Sequence, residues 1–190
     1  MKTDVLIPLD GSEFSQAVLD EVEKLFSPER YRLTLLRVAA VPDELNDTQT
    51  EVLPGLWNTN SPSQRNLEQS EPLAGRSAYL DSVWDRLRAE MLADLAKAQE
   101  QLERSGFEVE LRVRFGDAAQ EIIDFTELKE FDVVAMATHG RTGLGRMLMG
   151  SVAERVLHSV HVPVLMVRPA SVLADETLPL TRFAIVNLEV

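Results

Sequence analysis

The apolar positions of this chain change their period in a regular way. Thr3 to Pro8 (TDVLIP) is a short, nearly continuous apolar run, and after Leu9-Asp10-Gly11-Ser12 the residues Phe14, Ala17, Val18, Val22 and Leu25 recur on one helical face. Ser12 is placed to cap that helix, which should end before Pro28. Tyr31 to Val38 (YRLTLLRV) predicts a second strand. Leu80, Val83, Trp84, Leu87, Met91, Leu95, Ala98 and Leu102 then hold one stripe along a long helix, with Ser105-Gly106 as its left-handed stop. Val109 to Val113 alternates as a strand. Gly116-Asp117 opens a further helix, with Asp117 as cap, Gln120 three residues on, and Ile122 and Ile123 facing inward. Phe131 to Ala137 and Val162 to Val167 read as two more strands. Between them a helix from about Ser151 to Ser159 is opened by Gly150-Ser151, with Glu154 completing a capping box.

Strands that alternate with helices make a parallel sheet covered on both faces, and right-handed crossovers leave few topologies. The expectation is an α/β fold: a doubly wound five-stranded parallel sheet with helices on both faces. Phe183 to Leu188 is apolar enough to add one more C-terminal strand. Two segments break the rhythm. Pro42 to Arg76 holds four prolines and two glycines, with Leu56 and Trp57 as its main apolar anchors. A connection of that length suits a lid or partner surface, or disorder, and both readings stay open. The expected organisation is one domain over 1–169 with an insertion at 42–76, followed by a C-terminal extension over 170–190.

Composition narrows the class. A chain of 190 residues, 45% of them apolar, buries enough surface to need no covalent staple, and the absence of cysteine excludes disulfides and thiolate zinc sites. The opening apolar run is too short for a signal-peptide core, and no run approaches the ~20 residues of a membrane span, so the expected location is the cytoplasm. A net charge of -12 opposes general binding to nucleic acid or anionic lipid. That charge is uneven. From Asp132 to Ala170 there are four arginines (Arg141, Arg146, Arg155, Arg168) against two acids (Asp132, Glu154), with His139, His158 and His161 in the same stretch. A local reversal of sign suits a small anion; the alternative is that arginine heads simply reach solvent from a helix and a loop.

In such sheets ligands bind beyond the carboxyl ends of the strands, where strand order reverses. The loops that matter are therefore Asp10-Gly11-Ser12 after the first strand and Thr138 to Arg146 after the fourth. The second loop carries Gly140, Gly143 and Gly145, which let backbone amides approach an anion, and a helix N-terminus follows it. There is no G-x-x-x-x-G-K-[ST] and no G-x-G-x-x-G after the first strand, so neither a P-loop nor a dinucleotide cradle is present.

Ala137-Thr138-His139-Gly140, then nine residues, then Gly150-Ser151, resembles the G-x2-G-x9-G-[ST] nucleotide-binding signature of the universal stress protein family. The resemblance runs from the Val5-Leu6-Ile7-Pro8-Leu9-Asp10-Gly11-Ser12 opening to the closing strand Val162 to Val167. Two departures stand out: Ala137 replaces the first glycine, and Pro42 to Arg76 is longer than the family usually carries. The resemblance implies ATP, held with Mg²⁺ or Mn²⁺. It places Asp10 beside the nucleoside, backbone of Val38 at the adenine edge, and Gly140, Gly150, Ser151 and Val152 at the phosphates. Pro8, Leu9, Ser12, Met136, Ala137, His139, Arg141 and Gly143 complete the candidate site.

Other readings of single residues remain. Asp10 could cap or brace the first turn instead, and His139 has no nameable acid or nucleophile partner, which favours a structural histidine. His158 and His161, at the end of the last helix, suit its dipole. The leading expectation is a cytoplasmic stress-response protein that binds ATP with little or no hydrolysis and forms a homodimer through Val162 to Val167. Its rivals are a dimeric partner-binding protein without nucleotide and an enzyme of the nucleotidyl-transferase or pyrophosphatase type. The latter class needs a phosphate loop after the first strand, and Asp10 to Ser15 lacks its glycine run.

Overall fold

A computed structural model describes residues 2–41, 73–137, 150–167 and 183–186. The chain divides into two compact units, one formed by 1–40 and 90–190 and the other by 41–89. The first carries the sheet. Its strands are β1 (Thr3–Pro8), β2 (Tyr31–Ala39), β3 (Glu108–Phe115), β4 (Val133–Ala137), β5 (Val164–Val167) and β6 (Phe183–Val186). The helices are α1 (Glu13–Leu25), α2 (Leu73–Arg104), α3 (Ala118–Leu128) and α4 (Ser151–Ser159), with α2 giving its residues from Glu90 onward to the first unit.

The sheet order is β3-β2-β1-β4-β5-β6, parallel from β3 through β5. The expected five-stranded, doubly wound parallel sheet is therefore present. β6 joins it antiparallel, pairing Val167 with Phe183 and Val164 with Val186, so the outer edge of β5 is covered within the chain. The edge expected to meet a second copy is thus occupied by the chain's own tail strand.

Because both faces are covered, successive strand residues enter two different cores. Val5, Ile7, Leu33, Leu35, Ala135 and Leu165 point to the side of α1 and the second half of α2, where they meet Val18, Val22, Leu95 and Leu102. Leu6, Leu36, Val134, Met136, Val164 and Met166 point the other way and pack on Ile122 and Ile123 of α3 and Val156 and Leu157 of α4. This double burial is why β1, β4, β5 and the centre of β2 read as nearly continuous apolar runs, while β3 at the sheet edge alternates.

Local signals were kept with three differences. Ser12 caps α1 by accepting from the amide of Ser15 at 3.1 Å, and Asp117 caps α3 by accepting from the amide of Gln120 at 3.0 Å. Gly106, at φ 91, ends α2 in a Schellman turn: Phe107 N–H bonds to Leu102 O at 3.0 Å and Gly106 N–H to Glu103 O at 2.9 Å. On α1, however, Leu25 is 42% exposed, and Leu19 takes a core position that the expected stripe omitted. The helix has turned past the sheet by its last residue. α2 begins at Leu73, so the last four residues of the Pro42–Arg76 segment are helical, while 42–72 lie outside the described residues. On α4 the cap is Gly150 with no side-chain bond, so the expected Ser151–Glu154 box does not form. Ser151 sits one residue inside the helix, where its hydroxyl no longer faces the first free amides.

The amino-terminal edge of the sheet is closed by charge. Asp4 takes two bonds from Arg32, Nε at 2.6 Å and Nη2 at 2.8 Å, and its own amide donates to Asp132 Oδ2 at 2.7 Å. Arg32 and Lys2 both reach Glu108 on β3, at 3.8 and 3.5 Å. The Arg32 bonds hold the Asp4 carboxyl below its ordinary pKa, against a smaller opposing effect of burial. A carboxyl lowered on folding stabilises the fold above its unfolded pKa, and that share is lost as pH falls through the folded value. Asp4→Asn should therefore lower stability at neutral pH, and its gap to the parent should close in acid below the usual carboxylate range. Urea unfolding at both pH values checks this; a gap that persists in acid would show that the pair's ionisation is not its source.

Candidate functional site

Strand order reverses at β1. The chain leaves β1 for β2 and β3 on one side, then returns across it to place β4 and β5 on the other. The connecting helices lie on opposite faces, so the carboxyl ends of β1 and β4 splay apart and leave a crevice. There the structure has a cleft of about 330 Å³. That is within the range of small-molecule sites.

Each wall comes from a strand end or a helix start. β1 and its turn contribute Pro8, Leu9 and Asp10, β2 contributes Leu36 and Val38, and β4 contributes Met136 and Ala137. The first turn of α4 contributes Gly150, Ser151, Val152 and Ala153. Of the expected site residues, ten fall on described positions, and all but Ser12 line this cleft. His139, Gly140, Arg141 and Gly143 lie outside the described residues.

Ser12 stands behind the wall for a clear reason. Its hydroxyl donates to Asp10 Oδ1 at 2.6 Å and accepts from the Ser15 amide at 3.1 Å, so it is spent on the turn. Its amide also donates to Asp10 Oδ1, at 2.9 Å. Asp10 is therefore both a brace for the α1 cap and a lining residue of the cleft; the two readings of it are compatible. Gly11 makes the turn possible at φ 81, a backbone angle that side chains disfavour.

Sequence reasoning missed Ser15, Leu36, Ala118, Ile122 and Ala153, all of which line the cleft. Four of them are apolar and were legible only as core. Ser15 is 6% exposed on the inner face of α1, and its hydroxyl donates to Ser12 O at 2.9 Å. A serine inside an apolar helical stripe was the available signal.

The chemistry of the walls is uneven. One end is apolar, built from Leu36, Val38, Ile122 and Met136. The other presents the start of α4, whose first amides have no intrahelical acceptor and no side-chain cap among the described residues. Such a terminus favours an oxyanion. Within the net-basic stretch, Arg155 is committed elsewhere: its Nη1 donates to Asp117 Oδ1 at 2.8 Å. The carboxyl of Asp117 lies below its ordinary pKa, first through the Gln120 amide and then through Arg155. His158 and His161 are exposed around the end of α4 and away from the cleft walls. Among the described residues no three His, Asp or Glu groups come close enough together to hold a metal ion.

Comparison with known proteins agrees with this architecture. A family model described as universal stress protein family matches residues 1–168. Universal stress protein MJ0531 of Methanocaldococcus jannaschii is 42% identical over 86 residues, which are 45% of this chain and 51% of that protein. Universal stress protein MJ0577 of the same organism is 26% identical over 168 residues, 88% of this chain and 96% of that protein. Universal stress protein YxiE of Bacillus subtilis is 25% identical over 170 residues, 88% of this chain and 100% of that protein. The solved structure of MJ0577 superposes with a TM-score of 0.62 at 23% identity, over 88% of this chain and 96% of that one. A universal stress protein solved in complex with cAMP superposes at 0.54 with 18% identity, over 88% and 97%. These two likenesses are of fold. Taken with the family match over residues 1–168, they complete the case that the chain belongs to the universal stress protein family.

Proposed function

We propose that this protein is a stress-response protein of the cytoplasm that binds ATP in the cleft between β1 and β4, with little or no hydrolysis. The observation that carries the reading is the start of α4: Gly150 caps it with no side-chain bond, and Gly150 to Ala153 line the cleft. Uncapped amides at the mouth of a partly apolar crevice suit a ligand with a phosphate at one end and a flat apolar group at the other. In this reading the base lies against Val38, Leu36 and Met136, Asp10 accepts from the ribose, and Gly150, Ser151 and Val152 take phosphate oxygens. Gly140 and its neighbours His139, Arg141 and Gly143 complete the phosphate loop. The cAMP complex of a protein with the same fold supports the adenine nucleotide class.

The metal reading is modest. Without a cluster of acidic or histidine ligands among the described residues, Mg²⁺ or Mn²⁺ would arrive on the phosphate oxygens, with the Ser151 hydroxyl and Asp10 as the nearest protein oxygen donors. The described part of the cleft supports slow turnover. The described polar side chains of the cleft are Asp10, Ser15 and Ser151, which include neither a lysine for the phosphates nor a histidine to activate water. The Ala137 methyl narrows the approach at the end of β4, where the family signature has glycine.

Two outcomes test the proposal. Gly150→Lys should keep the fold and lose ATP affinity by tenfold or more, because one charge-assisted amide contact is worth on the order of 1.5–3 kcal/mol. Titration calorimetry showing equal affinity in the variant and the parent would displace the phosphate site. The homodimer through Val162 to Val167 is proposed as a state that forms when β6 leaves the β5 edge, since the two compete for one row of backbone groups. A chain ending at Ala170 should then self-associate more strongly than the full chain in light scattering. Equal association would assign the interface to another surface.

A further inference from the structure

Arg37 interrupts a pattern. Along the α1-facing side of β2, Leu33 and Leu35 are fully buried, and the next residue on that side is an arginine. Its Nε is buried and has no hydrogen-bond partner among the described residues. Its Nη1 donates to Leu9 O at 3.3 Å, a long bond. The guanidinium lies directly under Gly11, where a built Cβ would sit 3.2 Å from Nη2 and 3.3 Å from Cζ. No carboxylate faces it among the described ion pairs. Arg37 is half-buried, and a buried Nε with no partner among the described residues is costly, where a methionine would fill much of the same space with no polar atom left over. The feature calls for a reason beyond packing.

The position supplies one. Leu9 and Gly11 are the two neighbours of Asp10, so Arg37 supports the turn on both sides of the one acidic side chain in the described cleft wall. In a protein of net charge -12, a carboxylate at the mouth of a polyphosphate site repels the ligand it is meant to orient. A cation bonded to the neighbouring Leu9 carbonyl offsets part of this repulsion without touching the ligand. It is held there by sheet geometry and needs no contact with the phosphates.

We infer that Arg37 is a positioning residue of the nucleotide site: it seats the Leu9–Ser12 turn and offsets the charge of Asp10, so that the cleft accepts a ligand carrying several negative charges. The inference rests on the nucleotide reading above and deepens it by naming what sets the preference for charge number. The positive φ of Gly11 already disfavours a side chain there, and a Cβ would come within 3.2 Å of the guanidinium.

The test is a series of ligands that differ only in phosphate number. ATP, ADP, AMP and adenosine are titrated into the full chain, Arg37→Met and Arg37→Lys. In Arg37→Met the loss of affinity should grow with phosphate number, from little for adenosine to on the order of tenfold for ATP. Arg37→Lys, which keeps the charge and loses the planar fork, should restore most of the ATP affinity. The same loss for all four ligands would mean that Arg37 is only a prop, and no loss for any would remove it from the site; both overturn the inference. A parent that binds none of the four contradicts the nucleotide reading itself, and amide exchange then decides the remaining part. In Arg37→Met the amides of Gly11 and Ser12 should exchange faster while those of the α1 interior stay protected. Unchanged protection at Gly11 and Ser12 overturns the positioning role.

Discussion

The structure depends on one constraint: a parallel sheet buried on both faces must put its polar business at its ends. Strands β1, β2, β4 and β5 spend most of their side chains on two apolar cores, odd positions such as Val5, Ile7 and Leu35 on one and even positions such as Leu6, Leu36 and Met136 on the other. Polar groups that do not pair across the ladder are left at the strand termini and helix starts. The reversal of order at β1 then opens the carboxyl end into a crevice, and the same reversal aims the start of α4 at it. A site at this place follows from the topology before any particular side chain is considered.

The two ends of the sheet divide the work. At the amino end, Asp4, Arg32, Glu108 and Asp132 are tied into ion pairs and backbone bonds, which lock the strands in register. At the carboxyl end, the polar groups are kept partly unspent. Among the described residues the α4 amides have no side-chain cap, and Ser151 lies beside them. Ser12 illustrates the distinction: its hydroxyl is used up between Asp10 and Ser15, and it drops out of the cleft wall. Arg37 is the exception, a charge on β2 whose guanidinium reaches Leu9 O and packs beneath Gly11 at the carboxyl end.

Much of this was legible in the sequence because it is local. Strand runs, the Ser12 and Asp117 caps and the Gly106 stop are decided within a few residues, and the structure keeps all of them. The cleft residues at strand ends were legible as well, since a strand-end position is a sequence position. What could not be read depends on packing from afar. Ala118, Ile122 and Ala153 enter the cleft because α3 and α4 cross over β2 and β4, and their residue types are those of any core. The Ser151–Glu154 box failed because Gly150 takes the cap, a choice set by how the helix meets the sheet. The tail strand was legible as an apolar run; its pairing with β5 inside the chain was not, because an open edge and a second copy offer the same hydrogen bonds.

The central claim is that the crevice at the β1–β4 reversal holds an adenine nucleotide. The most direct measurement is to incubate the full chain with ATP and Mg²⁺, remove free ligand on a desalting column, denature the protein and identify what is released by mass spectrometry. The account predicts intact ATP, released from the parent and absent from Gly150→Lys treated in the same way. Release of no nucleotide from a parent whose fold is intact, or equal release from the variant, would contradict it.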